Sequence, residues 1–474
     1  MKQISKLLSI SLFLFYFQSL AQDTWGLDRC ISFALDNNIQ IKKYELSTQM
    51  QSNQLKQAKI SLAPSLNGSL SRNVSFGRSV DAYTNDFTED RTMTDNYSIS
   101  SSVTLFNGFQ KINAIKKNQL DLQAYLSDLR KFKNDISLNV ASSYLNVLFN
   151  LEILETSEAQ LAITKLQVDR IQKLVDAGSL AQGDLLEIEA QVANEELAKV
   201  NYENQLAMSI LNLKQLLELD TLNNFEIARP NVDIEAINLP PNASAIYDYA
   251  IKEMPEILSA EYKLRSYEKS LSIAKGGRSP QLSLGAGINS GYSDARMEQT
   301  LTGSQDIPYG YTVDASGTQL PTYIIQPTYD LNTKSFGDQL RDNRNTYVGL
   351  SLSIPIFNGW QVNTNISNSK INVLNAQYDL ELEKKTLFKD IQQKYLDAIS
   401  AQKKYIATKA ALQSASESFL YTQKKYEVGL INSLDYNLAK NKVTKAQSDL
   451  LQAKYEFLFA VKILDFYQGK PIAL

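Results

Sequence analysis

After Phe106-Asn107-Gly108-Phe109 the chain runs some seventy residues, to about Ala177, without a proline or an internal glycine. Val140, Val147, Leu154, Leu161, Val168 and Val175 fall seven apart, six apolar residues in one register. A seven-residue apolar repeat marks a helix that packs along one seam against other helices. At 1.5 Å per residue such a helix is roughly 100 Å long, more than a compact globular domain can hold.

The stretch occurs twice. FNGF at Phe106 to Phe109 returns as FNGW at Phe357 to Trp360, and 357 − 106 is 251. The same offset carries the six seam positions onto Ile391, Ala398, Tyr405, Leu412, Phe419 and Tyr426, none of them charged. It also lays DAGSLAQGD (Asp176 to Asp184) on EVGLINSLD (Glu427 to Asp435), with Gly178 on Gly429 and Asp184 on Asp435. A unit this long is a tandem duplication, not a solenoid of short repeats. The expected halves are 22–242 and 243–474.

Residues 1–21 read as a signal peptide. Lys2 and Lys6 precede the apolar run Leu7 to Phe17, and Ser19-Leu20-Ala21 makes a cleavage site. Cys30, the lone cysteine, sits in LDRC without the small residues that precede a lipidated cysteine. No acyl anchor is expected, and Cys30 reads as a small apolar core residue. A net charge of −3 implies no polybasic surface for nucleic acid. Beyond the signal no run reaches the ~18 to 20 apolar residues of a spanning helix. An exported chain that crosses a membrane must then use a β-barrel.

Trp25 to Asn38 predicts a short helix and Ile39 to Ala63 a longer one, ended by Pro64. The period then changes from helix to strand. Over about 66–76, Leu66, Leu70, Val74 and Phe76 share a face with Gly68 and Arg72, while Asn67, Ser69, Ser71, Asn73 and Ser75 take the other. Over about 96–106, Tyr97, Ile99, Val103 and Leu105 alternate with Ser98, Ser100, Ser102 and Thr104. Strands of this kind suit lipid outside and water inside, or a soluble hairpin with one buried face. The second half repeats them at about 281–290 and 346–356. Pro64 to Phe106 is 42 residues and Pro280 to Phe357 is 77, so the second pair carries 35 more, between about Tyr292 and Asn345. A loop this long is functional or disordered, and in an outer-membrane barrel it faces outward. Long helices are expected at about 109–177 and 184–217, then 360–428 and 435–466, with a proline-bearing connector at 218–242. Phe106, Asn107 and Gly108, and Phe357, Asn358 and Gly359, mark the strand-to-helix junctions. Aromatics there suit either a membrane-interface girdle or ordinary packing.

The chain has no histidine, which removes the usual general base and the usual metal ligand. GAGINSG (Gly285 to Gly291) has the wrong spacing for a dinucleotide loop. No catalytic, cofactor-binding or metal site is expected, and no enzyme.

Taken together, LDRCISFALDNN, the FNG after each strand pair, and the glycine breaks with Asp six residues on resemble the outer-membrane efflux proteins of the TolC family, over essentially the whole mature chain. The resemblance implies a mixed α+β membrane protein, a long α-helical coiled-coil barrel joined to a transmembrane β-barrel. Four strands per chain cannot close a barrel alone. Strand count admits two chains or three, and the resemblance implies a homotrimer of twelve strands. It further implies an outer-membrane location with a helical tunnel in the periplasm. The chain would be a passive exit duct, served by a periplasmic adaptor (membrane fusion protein) and an inner-membrane pump. The rival reading is a periplasmic coiled-coil scaffold with a soluble β subdomain. The gate would lie at the helix tips: Asp176, Gly178, Asp184, Glu427, Gly429 and Asp435. Asp184 and Asp435 would face the narrowing, cap their helices, or both.

Overall fold

A computed structural model describes residues 24–81, 83–85, 87–89, 91–220, 225–230, 234–235, 239–240 and 242–473. The signal-peptide segment and much of the connector lie outside the described residues.

The order of elements doubles with little change in length. Helices α1 (Leu27–Asn37) and α2 (Ile39–Ile60) have 11 and 22 residues, as do α5 (Ala243–Glu253) and α6 (Pro255–Gly276). Helices α3 (Gln110–Asp176) and α8 (Gln361–Glu427) have 67 each, and α4 (Gln182–Leu216) and α9 (Ser433–Tyr467) have 35 each. Between the two pairs of leading helices and the long ones lie the strands. The first half has β1 (Ser65–Ser75), β2 (Ser79–Val80), β3 (Phe87–Thr88) and β4 (Thr92–Phe106). The second has β5 (Gln281–Ser293), β6 (Met297–Val313), β7 (Gln319–Thr333), helix α7 (Phe336–Asp342) and β8 (Asn345–Ser353).

Chain contacts divide the molecule into two compact units that cut across the halves. Of the described residues, those within 1–53, 119–266 and 373–474 form the helical unit and those within 54–118 and 267–372 the sheet unit.

In the helical unit α1 lays Leu27, Cys30 and Ala34 on Val140, Ala141, Tyr144 and Val147 of α3 and on Leu213 of α4. Cys30 is fully buried, and burial pushes its thiol up to about 12. That agrees with a core residue, not a reactive one. The second half builds the matching cluster from Ile246, Ala250 and Ile257 against Leu387, Ile391 and Ala398 of α8 and Leu464 of α9. Tyr144 and Tyr395, 251 positions apart, each bond a backbone carbonyl of the connector side: Ala228 at 2.6 Å and Pro240 at 3.2 Å. Trp25 bridges Ile227 in parallel, so part of the connector joins this core.

In the sheet unit four antiparallel strands lie in the order β1-β4-β5-β8, an open sheet whose edges are β1 and β8. The pairing puts Leu70 beside Tyr97, Ile99 beside Ile288, Leu284 beside Leu350 and Leu282 beside Leu352. All lie on one face, as the alternation predicts, because partners across a ladder share a face. This apolar face touches little of its own chain: Leu66 is 75 % exposed, Val348 73 % and Leu350 67 %. Arg72, the one cation among these apolar side chains, is neutralised in place by Asp95 through two bonds of 2.7 and 2.8 Å. The opposite face carries Ser69, Ser98, Asn289, Gly287, Ser100 and Tyr347, without a charge among them. The glycines of GAGINSG lie there, and Tyr83 and Tyr347 occupy the space a Cβ on Gly291 and Gly287 would need.

The long loop expected between the last two sheet strands is corrected. The 35-residue excess is not an irregular loop. It folds as a ribbon, β6 paired with β7 and separate from the sheet. The ribbon is rooted by Asp342 of α7, 2.5 Å from Lys334 and 3.5 Å from Arg296. Those cations hold the carboxyl of Asp342 below the usual range, the Lys334 bond contributing most. Phe336 of α7 stands against Tyr97 and Tyr292 on the apolar face of the sheet.

Candidate channel gate

Helices α3 and α8 end in the same way. Gly178 (φ +73°) and Gly429 (φ +74°) take the left-handed conformation that an L side chain resists. Gly178 N bonds Val175 O at 2.9 Å and Ser179 N bonds Leu174 O at 2.8 Å. Gly429 N bonds Tyr426 O at 3.0 Å and Leu430 N bonds Lys425 O at 2.9 Å. This pair of bonds satisfies carbonyls left open at a helix end and turns the chain back. Asp176 and Glu427, the last residues of the two helices, accept from Gln172 at 2.8 Å and Gln423 at 3.2 Å and stay exposed.

The two aspartates six residues on do different work. Asp184 reaches back to the N–H of Ala181 at 3.3 Å, half of a reciprocal cap, since alanine has no oxygen to return the bond. Asp184 is half-buried and also accepts from Ser433 of α9 at 3.1 Å, with Glu187 beside it. Asp435 is exposed, and its N–H is capped by the Asn432 side chain at 2.8 Å. The residue three positions earlier, Ala181 against Asn432, decides which aspartate must act as a cap.

Next to the tips, Tyr436 packs on Tyr426 with ring centres 4.8 Å apart and on Phe419 at 5.3 Å. Burial raises the Tyr426 hydroxyl, and the charge of Asp184 adds to it. A cavity of about 300 Å³ remains, bounded by Gln167, Ile171, Leu180, Tyr426, Ile431 and Tyr436. The joint between the first hairpin (α3 and α4) and the second (α8 and α9) is thus incompletely filled.

Sequence reasoning missed the seam between those hairpins, which is polar. Gln167 bonds Tyr436, Gln191 bonds Asn441 at 3.2 Å, and Lys440 faces Glu195 at 3.3 Å. Farther from the tips, Lys454 pairs with Glu152 at 2.9 Å. The partners lie in different halves of the chain, so no local spacing announces them.

The strand-to-helix junctions share a two-residue twist: Gly108 and Phe109 at φ +64° and +61°, Gly359 and Trp360 at +62° and +66°. Asn107 and Asn358 accept from the backbone of Gln110 and Gln361 at 3.3 and 3.2 Å, opening α3 and α8. A side chain on Gly108 would meet Gly276 O and Ser279, whereas Gly359 faces open space. Phe106 stands edge-on to Phe109, and Phe357 and Trp360 are 82 % and 66 % exposed. Among the described residues no helix is long and apolar enough to cross a membrane, and no cluster of His, Cys, Asp or Glu could hold a metal.

The family model for outer membrane efflux proteins matches residues 30–218 and 246–470. Outer membrane protein TolC of Escherichia coli is 25 % identical over 389 residues, covering 76 % of this chain and 71 % of that one. The alkaline protease secretion protein AprF of Pseudomonas aeruginosa is 23 % identical over 392 residues, 81 % of this chain and 72 % of that one. Among solved structures, CusC superposes with a TM-score of 0.74 at 17 % identity, over 96 % of each chain. The CmeC outer membrane channel of Campylobacter jejuni gives 0.73 at 16 % identity, over 94 % of this chain and 87 % of that one. At such identities the superpositions speak for the fold. The chain belongs to the outer membrane efflux protein family, and it is an outer-membrane exit duct for efflux or secretion with its long helices in the periplasm.

Proposed function

We propose that three copies of the chain close a twelve-stranded barrel in the outer membrane. The observation that carries this reading is the open four-stranded sheet. One face is apolar and exposed, the other is uncharged and polar, and both edges lack a partner. Unpaired edges cannot stay in hydrocarbon, so the sheet must close with others of its kind. Lipid then covers Leu66, Leu70, Ile99, Leu350 and their neighbours, and water fills the Ser and Asn side. The exposed rings of Phe357 and Trp360 form the interface girdle. The β6–β7 ribbon, at the strand ends away from the helices, points outward.

The duct receives cargo from a periplasmic adaptor and an inner-membrane pump, and does no chemistry of its own. Its two halves descend from one duplicated unit. At the tips Asp184 and Asp435, each once in each of three chains, bring six carboxylates towards one axis. Like charges in a narrow pore attract cations and exclude anions. Changing both to Asn keeps shape and much of the capping ability. Reversal potential under a salt gradient, wild type against the double variant, should show reduced cation preference with helix content unchanged. Unaltered selectivity would leave Asp184 as a helix cap and Asp435 as a solvated side chain, and move the constriction to Asp176 and Glu427.

A further inference from the structure

Lys440 of α9 and Glu195 of α4 have side chains only 3 % and 11 % exposed. Thr164 of α3 completes the group, within reach of Glu195 and accepting from Lys440. Gln191 adds a bond to Glu195 at 2.8 Å. On either side a polar atom is buried with no hydrogen-bond partner. One is Gln160 Nε2, a turn from Thr164 on α3, and the other is Asn437 Oδ1, a turn from Lys440 on α9.

Such a contact is a poor adhesive. Two charges leave water, and their attraction repays the loss only when every remaining donor and acceptor is satisfied. The two orphaned atoms add their own desolvation cost. Lys440, Thr164 and Glu195, which meet across this contact, regain water if α9 parts from α3 and α4. An apolar contact in the same place would hold instead. The neighbouring buried cluster Ile171, Leu185 and Ile188 is of that apolar kind, and it lies wholly within the first hairpin.

We infer that the Lys440–Glu195 pair is a counterweight, which lowers the cohesion between the first hairpin and α9 so that they separate readily when cargo passes. Burial lowers the lysine's affinity for its proton, with Glu195 opposing, as expected of a charge held under strain of desolvation. The inference rests on the gate reading above.

Spin labels at exposed Glu189 on α4 and Lys442 on α9 report the gap between hairpins without reference to conduction. They are placed in oligomers diluted with unlabelled chains, in detergent. The double variant Lys440→Met with Glu195→Leu makes the contact apolar. It should cut the parted fraction about tenfold or more, and the open probability in planar bilayers should follow. Glu195→Gln alone leaves Lys440 buried beside a neutral amide and should raise the parted fraction by as much. A gap unchanged or widened in the double variant overturns the inference. A gap that narrows while open probability stays put upholds the counterweight and sinks the gate reading. Should Glu195→Gln fail to assemble, the double variant decides alone, because faulty packing would widen the gap and the expected change is narrowing.

Discussion

The two helical hairpins have the same lengths and the same seam, yet only one is finished within a single chain. Near the connector they match: Val140 and Val147 of α3 and Ile391 and Ala398 of α8 are all fully buried. Towards the tips they part company. On α3 burial continues through Ile153, Leu161, Thr164 and Ile171, whereas on α8 no residue from 399 to 427 is buried. The residues opposite explain it. Ile171, Leu185 and Ile188, which pin the first tip, become Thr422, Tyr436 and Ala439 in the second. The first hairpin therefore carries its own clamp. The second keeps Leu412, Phe419 and Tyr426 only half-covered, with Leu420 51 % and Tyr421 67 % exposed. A half-covered seam on a 67-residue helix leaves apolar side chains without a cover in their own chain.

The widest gap between the hairpins should follow a charge placed in each seam. Leu161→Asp buries an unpaired carboxylate at a position 7 % exposed and should cost several kcal/mol, removing assembled oligomer from the membrane fraction. Leu412→Asp, its counterpart, should leave each chain folded and weaken assembly only. Equal yields on a non-denaturing gel would erase the distinction. A milder probe is truncation. Ile171→Ala should cost about 2 to 4 kcal/mol, and Thr422→Ala no more than about 0.5, read from heat dissociation of the oligomer. The reverse order would mean that assembly buries the second tip more deeply than the first. The smallest effect serves as a control. Gly178→Ala and Gly429→Ala each force a side chain into the left-handed region and should cost about 1 kcal/mol. The two costs should be alike, since the turns are alike and a Cβ meets nothing at either. Unequal costs would show that the turns differ in the assembled duct.

Much of this was legible in the residues. Period seven set the long helices to within two residues, and alternation set the four sheet strands and their shared face. The β6–β7 ribbon escaped because register shifts at Leu301/Gly303 and Pro308/Gly310 break the alternation that announces a strand. Prolines at 308, 321 and 327 made it read as loop. Lys440 and Glu195 escaped for another reason. Charged residues on a long helix read as a solvated face, and their partners sit 245 positions apart. The equal spacing of Asp184 and Asp435 was visible, but it concealed unequal roles that hang on Ala181 and Asn432.

The matched lengths of α3 and α8 carry a consequence for change within the chain. One residue inserted in either helix would lift everything beyond it by 1.5 Å and swing each later side chain about 100° around the axis. The polar stripe would then meet the core and the turn would aim elsewhere. Growth is open to the molecule only where nothing downstream must keep phase. The 35 added residues lie between β5 and β8, and beyond them the second half returns to the frame of the first without losing a step.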